Sequence, residues 1–113
     1  MIYTSCFKNY EGINAVSIAG SVPNYYFGRQ YKLLAPKWWF FQEYKKTGNQ
    51  QHYIEHYHKE VLDKLDPNRV YSDLGKNAVI LCWEESGFCH RHLVAKWLND
   101  NLNLGYIIEE YKE

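Results

Sequence analysis

The sequence predicts a small three-layer α/β domain built on a mostly parallel sheet of about four strands. Short apolar runs alternate with stretches whose apolar residues recur at three- and four-residue steps, the pattern of strands separated by helical crossovers. The run over residues 78–83 is apolar throughout and is bounded by Asn77, Glu84 and Glu85, as in a central strand buried on both faces, which implies parallel pairing. No repeat, low-complexity tract or linker divides the 113 residues, so residues 1–113 are read as one domain around one core.

Residues 2–7 are apolar and short and read as the first strand, with Ser5 and Cys6 at its carboxyl end. After a turn at Glu11 and Gly12, residues 13–19 give a second strand, closed by Gly20, Ser21 and Pro23. Residues 24–35, with Gly28 and Arg29 among aromatics, are expected to be a long loop, and long ordered loops in compact domains are often functional. Pro36 suits the first turn of a helix that carries Trp39, Phe40 and Tyr44 until Gly48 stops it. Asn49 caps a second helix with the stripe Tyr53, Ile54, Tyr57, Val61, Leu62 and Leu65. Asp66 and Pro67 start a short third helix, with Val70 and Leu74 inward and Gly75 as its stop. Beyond the central strand and Gly87, residues 89–101 place Leu93, Val94, Trp97 and Leu98 on one helical stripe, and Gly105 introduces a last strand over 106–110.

Lys plus Arg and Asp plus Glu each number 13, so the formal charge is zero and no global field steers the chain toward nucleic acid or an anionic membrane. A nucleic-acid role would need a local patch. No run approaches the roughly 18 apolar residues of a membrane span, and the N-terminus lacks a secretory layout. The odd set Cys6, Cys82 and Cys89 cannot all pair within the chain, so a reducing, cytoplasmic location is expected. Aromatics make up 18% of the residues and concentrate between Tyr25 and Tyr57, which suits a small core or a surface for planar ligands.

In parallel α/β sheets ligands bind beyond the strand carboxyl ends, where loops and helix N-termini meet. That rule gathers Ser5, Cys6, Gly20, Ser21, Cys82 and Glu84 with Cys89, His90 and Arg91, which open the last helix. At a first helical turn Cys89 gains from unpaired N–H groups, and His90 and Arg91 add positive charge, so its thiol pKa is expected to fall. It is a nucleophile or redox thiol, a ligand-positioning group, or a small buried packing residue, the commonest state of a free cysteine. Glu84 is read as a general base or a partner for a sugar hydroxyl, against a structural pairing with Arg91. Arg91 is read as an anion binder at a helix N-terminus, against an ion pair with Glu84 or Glu85. Arg29 is a second anion-binding candidate if its loop folds over the crevice.

No metal and no cofactor are expected. Cys82, Cys89 and His90 offer three donors, but their spacing matches no standard zinc knuckle, and a fourth would have to be Cys6 or Glu84. His52 and His56 stand four apart on the second helix without an acidic or cysteine partner at a convincing spacing. A Cys82 to Cys89 disulfide needs Cα atoms within about 7 Å, which spacing does not reveal.

The stretch from Ile80 to Leu98, ILCWEESGFCHRHLVAKWL, resembles the signature of the domain family of unknown function numbered 488: a hydrophobic strand ending in Cys-x-Glu, a short gap, Cys-His-Arg, then an amphipathic helix. The opening Ile2-Tyr-Thr-Ser5 is similar to that family's first strand. Where members usually carry Asp-Val-Arg before a Pro-containing loop, this chain has Ser17-Ile-Ala19. The resemblance implies a compact Rossmann-like α/β fold and a site at Cys82, Glu84, Cys89, His90 and Arg91, with Ser5 and Arg29 as outer extensions.

Three functions compete. The first is binding or processing of a nucleotide, nucleoside or nucleic-acid base: Arg91 and the helix N-terminus take phosphate, Glu84 contacts ribose or acts as acid–base, and Tyr25, Tyr26 and Phe27 stack on the base. The second is a non-enzymatic module that docks a protein partner through aromatics such as Trp38, Trp39 and Tyr44. The third is thiol chemistry at Cys89, with Cys82 as resolving partner.

Overall fold

The computed structural model describes residues 1–112. Strands β1 (Tyr3–Cys6), β2 (Ala15–Ser17), β3 (Arg29–Gln30), β4 (Val79–Cys82) and β5 (Glu109–Glu110) form one sheet in the order β3-β2-β4-β1-β5. Every pairing is parallel, with Tyr3 opposite Val79 and Cys6 opposite Cys82 in the central pair. The helices are α1 (Trp38–Thr47), α2 (Gln50–Glu60), α3 (Pro67–Leu74) and α4 (His90–Asn101).

Local signals set the helix ends. Gly48 adopts φ 66°, a left-handed conformation that costs glycine nothing, and its N–H reaches back to the Tyr44 carbonyl to close α1. Asn49 accepts from the His52 N–H at 3.1 Å to cap α2, and Asp66 does the same for Asn68 at the head of α3, where Pro67 takes the first helical position. Helix α2 stops at Glu60, one turn earlier than its apolar stripe suggests. Val61 leaves helical geometry and a 3-10 turn over Leu62–Lys64 keeps Val61 and Leu62 buried.

The main core lies on one face of the sheet. Ile2, Val16, Ile18 and Ile80 meet Phe40 of α1, Tyr53 and Tyr57 of α2, Val70 and Leu74 of α3, and Val94 and Leu98 of α4. On the other face Val79, Leu81 and Ala15 meet Phe7, Tyr10, Val22 and Tyr26, so loop aromatics rather than helices form that third layer. Alternation along β4 sends Ile80 to one layer and Val79 and Leu81 to the other, which is why that strand is apolar at each position.

The sheet has five strands rather than about four because the expected loop over 24–35 contains β3. Val16 lies opposite Arg29 and Ser17 opposite Gln30, and both β3 side chains are exposed. Such an edge strand is held by backbone pairing and leaves no apolar pattern to read. The second strand begins at Ala15, not at position 13; Ile13 is 98% exposed.

Tyr57 is fully buried, and its hydroxyl donates to the Leu34 carbonyl at 2.6 Å, fastening the turn before α1 to α2. Replacing it with Phe leaves that carbonyl unpaired in the core and is expected to lower stability by about 1–2 kcal/mol. Urea denaturation measures the change; an unaltered midpoint shows the bond to be dispensable.

Candidate functional site

The chain leaving β2 turns to β3 on one edge of the sheet, whereas the chain leaving β4 passes through α4 to β5 on the other. The two connections diverge between neighbouring strands, and a crevice opens there, as expected at a switch point of a parallel sheet. A cavity of about 610 Å³ occupies it. Gly20 and Ser21 border it after β2, Trp83 and Glu84 after β4, and Cys89 and His90 at the start of α4. The far wall is aromatic: Trp38, Phe41 and Tyr44 of α1 and Tyr53 of α2, with Phe88 between.

Glu84, Cys89 and His90 therefore share one cavity. Cys89 is the N-cap of α4 and makes no side-chain capping bond, so the first N–H groups of this twelve-residue helix lack a side-chain partner. Its Sγ is bonded to that of Cys82, across Cα atoms 7.2 Å apart, just beyond the ~7 Å limit. The Sγ of Cys89 also lies 3.8 Å from His90 Nδ1. His90 Nε2 sits 2.8 Å from the Ile18 carbonyl, an acceptor, so Nε2 carries the proton and Nδ1 presents a lone pair toward the sulfur. Burial pushes the His90 pKa down to about 4; the Ile18 bond opposes this and the Arg91 charge adds to it. At neutral pH the ring is uncharged. The donor atoms of Cys82, Cys89 and His90 all lie within 4.8 Å of one another and all three residues are buried, so they are the group able to hold an ion among the described residues.

Arg91 is not among the residues that line the cavity, although its sequence position suggested an anion binder. Only 1% of its side chain is exposed. Nε and Nη2 donate to the two carboxylate oxygens of Glu110 at 2.8 and 3.2 Å, and Nη1 donates to the Glu84 carbonyl at 2.6 Å and to Cys82 Sγ at 3.1 Å. Thr4 donates to the same carboxylate. One guanidinium thus joins α4 to the ends of β4 and β5, and its ion-pair partner is Glu110 rather than Glu84 or Glu85. Burial raises the Glu110 pKa, but bonds from Arg91 and Thr4 outweigh it and the net shift is downward.

Arg29 is also remote from the crevice. It donates to the Asp73 and Leu74 carbonyls at 2.7 and 2.9 Å and so closes the end of α3. Ser5 is buried within β1 opposite Leu81. Tyr25, Tyr26 and Phe27 line a separate hollow of about 440 Å³ with Tyr10 and Glu11, so the stacking surfaces at the crevice come from other aromatics. Trp83 and Phe88 lie inside the quoted signature but carried no distinguishing mark there. Trp38 and Trp39 remain 73% and 52% exposed, and Tyr44 is half-buried, so an aromatic docking face is not lost to the core. The pair His52 and His56 does have an acidic partner, Glu43 of α1, at 3.3 and 3.6 Å, which spacing along α2 had no means to reveal.

A family model for DUF488-N3a, described as the active DUF488-N3 subclade, matches residues 8–102. No curated protein and no solved structure matches the chain. No helix among the described residues is long and apolar enough to cross a membrane.

Replacing Arg91 with Ala strips three segments of a shared donor and leaves the Glu110 carboxylate with Thr4 as its remaining side-chain partner. A loss of roughly 3 kcal/mol is expected, at the low end for a broken buried pair because the Glu110 side chain is 39% exposed. Lys at that position is expected to restore less than half, since an ammonium lacks the planar fork; equal stability of Lys and Arg by denaturant titration contradicts this reading. His90 makes folding acid-sensitive. The unfolded ring takes up its proton near 6.5 and the folded ring near 4, so stability is complete above the first value and falls through that window, by roughly 3 kcal/mol. A His90→Gln variant is expected to flatten the pH dependence of the melting temperature between those limits.

Proposed function

Since the chain belongs to the DUF488 family, in the subclade described as active, we propose that its crevice binds or processes a nucleotide, nucleoside or nucleic-acid base. The observation that carries this reading is the aromatic cavity at the sheet's switch point, walled by Trp38, Phe41, Tyr44, Trp83 and Phe88 and floored by the start of α4. Its 610 Å³ lies within the range of small-molecule sites. Stacking of a base on such rings contributes about 1–3 kcal/mol per base.

The division of labour follows from what each group has free. The Arg91 guanidinium is engaged by Glu110, Cys82 and the Glu84 carbonyl, so a phosphate has the uncapped turn of α4 and Lys45 as its partners. Glu84 lines the cavity with an exposed carboxylate, in reach of a ribose hydroxyl or of a proton to be moved. The chain has Ser17-Ile-Ala19 where the family resemblance leads one to expect Asp-Val-Arg, so the proposal assigns no step to that acidic and basic pair.

Thermal-shift titration with nucleobases, nucleosides and nucleotides tests the proposal. Ligand at 100 times Kd adds ~2.7 kcal/mol. Stabilisation is expected, and it should disappear in Trp83→Ala and persist in Tyr25→Ala, whose ring borders the other hollow. The absence of any shift at millimolar concentration removes the reading.

Thiol chemistry is the second reading, favoured by the bond between Cys82 and Cys89 and by the Arg91 Nη1 atom 3.1 Å from Cys82 Sγ, a donor that stabilises a thiolate. After reduction, Cys89 should then react with an alkylating agent faster than a free-thiol model compound. A rate no greater than the model's rules it out.

A further inference from the structure

We propose that, in the reduced protein, Cys82, Cys89 and His90 bind one soft divalent ion of the zinc class, with the fourth coordination position open to the aromatic cavity. The three donor atoms already lie within 4.8 Å of one another. Two thiolates on a tetrahedral ion with metal–sulfur bonds near 2.3 Å stand about 3.8 Å apart, inside that span. Cα atoms separated by 7.2 Å leave room for the sulfurs to part by this amount without rebuilding either element.

The imidazole is prepared for such a role. Its Nε2–H is tied to the Ile18 carbonyl at 2.8 Å, which fixes the tautomer and turns the Nδ1 lone pair toward Cys89 Sγ. Metal-bound histidines show this same arrangement, one nitrogen on the ion and the other donating to a carbonyl or carboxylate. Two sulfurs and one imidazole nitrogen select zinc-like ions over magnesium or calcium, which require oxygen donors.

The charges are compatible. A divalent ion balances two thiolates, and the Arg91 charge beside Cys82 is met by Glu110 at 2.8 Å. An N–H bond from Arg91 to Cys82 Sγ serves a coordinated thiolate as an outer-sphere contact. Cys89 and His90 both border the cavity, and Glu84 stands on the same wall, so the remaining position faces the space assigned to the ligand. The ion and the disulfide exclude each other, because both use the same two sulfurs. The ion site goes beyond the ligand reading and does not depend on it.

Cobalt(II) titration of the phosphine-reduced protein under argon, with no nucleoside present, tests the site. One equivalent should give thiolate-to-cobalt charge-transfer bands and the visible bands of a tetrahedral centre, both abolished by zinc(II). Cys82→Ser, Cys89→Ser and His90→Ala should each weaken binding by more than the about 100-fold that loss of an outer-sphere partner costs. Cys6→Ser should bind as the parent does, because Cys6 is outside the cluster. Should a variant fail to fold, alkylation of the reduced parent protein decides: zinc is expected to slow labelling of Cys82 and Cys89 in the folded chain, while the rate at Cys6 is the same with and without zinc. Missing charge-transfer bands in fully reduced protein, undiminished binding in Cys89→Ser, or absence of zinc protection each overturns the proposal.

Discussion

The buried guanidinium of Arg91 is the constraint around which the carboxyl-terminal half of the fold is arranged. Taking a cation out of water is costly unless nearly all its donors are met, and here they are met by the Glu110 carboxylate, the Glu84 carbonyl and the Cys82 sulfur. Those partners come from β5, from the loop after β4 and from β4 itself. The same contacts therefore hold α4 against the sheet, draw β5 to the edge beside β1, and fix the loop that carries Trp83 and Glu84. Thr4 in β1 completes the set through Glu110.

This anchoring has a consequence for chemistry. Because the arginine is spent on structure, the crevice is served by an aromatic wall, one carboxylate, a lysine and an uncapped helix start, with a sulfur and imidazole cluster at its base. The cluster owes its geometry to the arginine as well: Cys82 ends β4, Cys89 and His90 begin α4, and the six intervening residues are bent back by contacts that Arg91 makes with Glu84. Gly87, at φ 77°, permits the turn that a residue with a Cβ would resist.

Much of the fold was legible because its signals are local. Gly48, Asn49 and the Asp66-Pro67 pair act within one turn of where they stand, so their roles at helix ends follow from residue type alone. The run in β4 was legible because burial on both faces leaves an uninterrupted apolar stretch. Strand β3 was not, since Arg29 and Gln30 are exposed and join the sheet only by backbone pairing with β2. Nor was the fate of Arg91: a Cys-His-Arg run at a helix start suits an anion site as well as a buried tie, and the choice rests with Glu110, nineteen residues away.

What residue order alone determined is the alternation of strands and helices, the parallel sheet, and the placing of Glu84, Cys89 and His90 near a strand end and a helix start. Periodicity, capping and turn chemistry are short-range properties, and each is written within a few consecutive side chains. Tertiary structure decided which side chains look into the crevice, which aromatics wall it, and that Cys82, Cys89 and His90 converge on one point. Those outcomes depend on pairing and packing between segments distant in the chain, where a rotation of one helix or a shift of one strand by a residue exchanges the inner and outer faces.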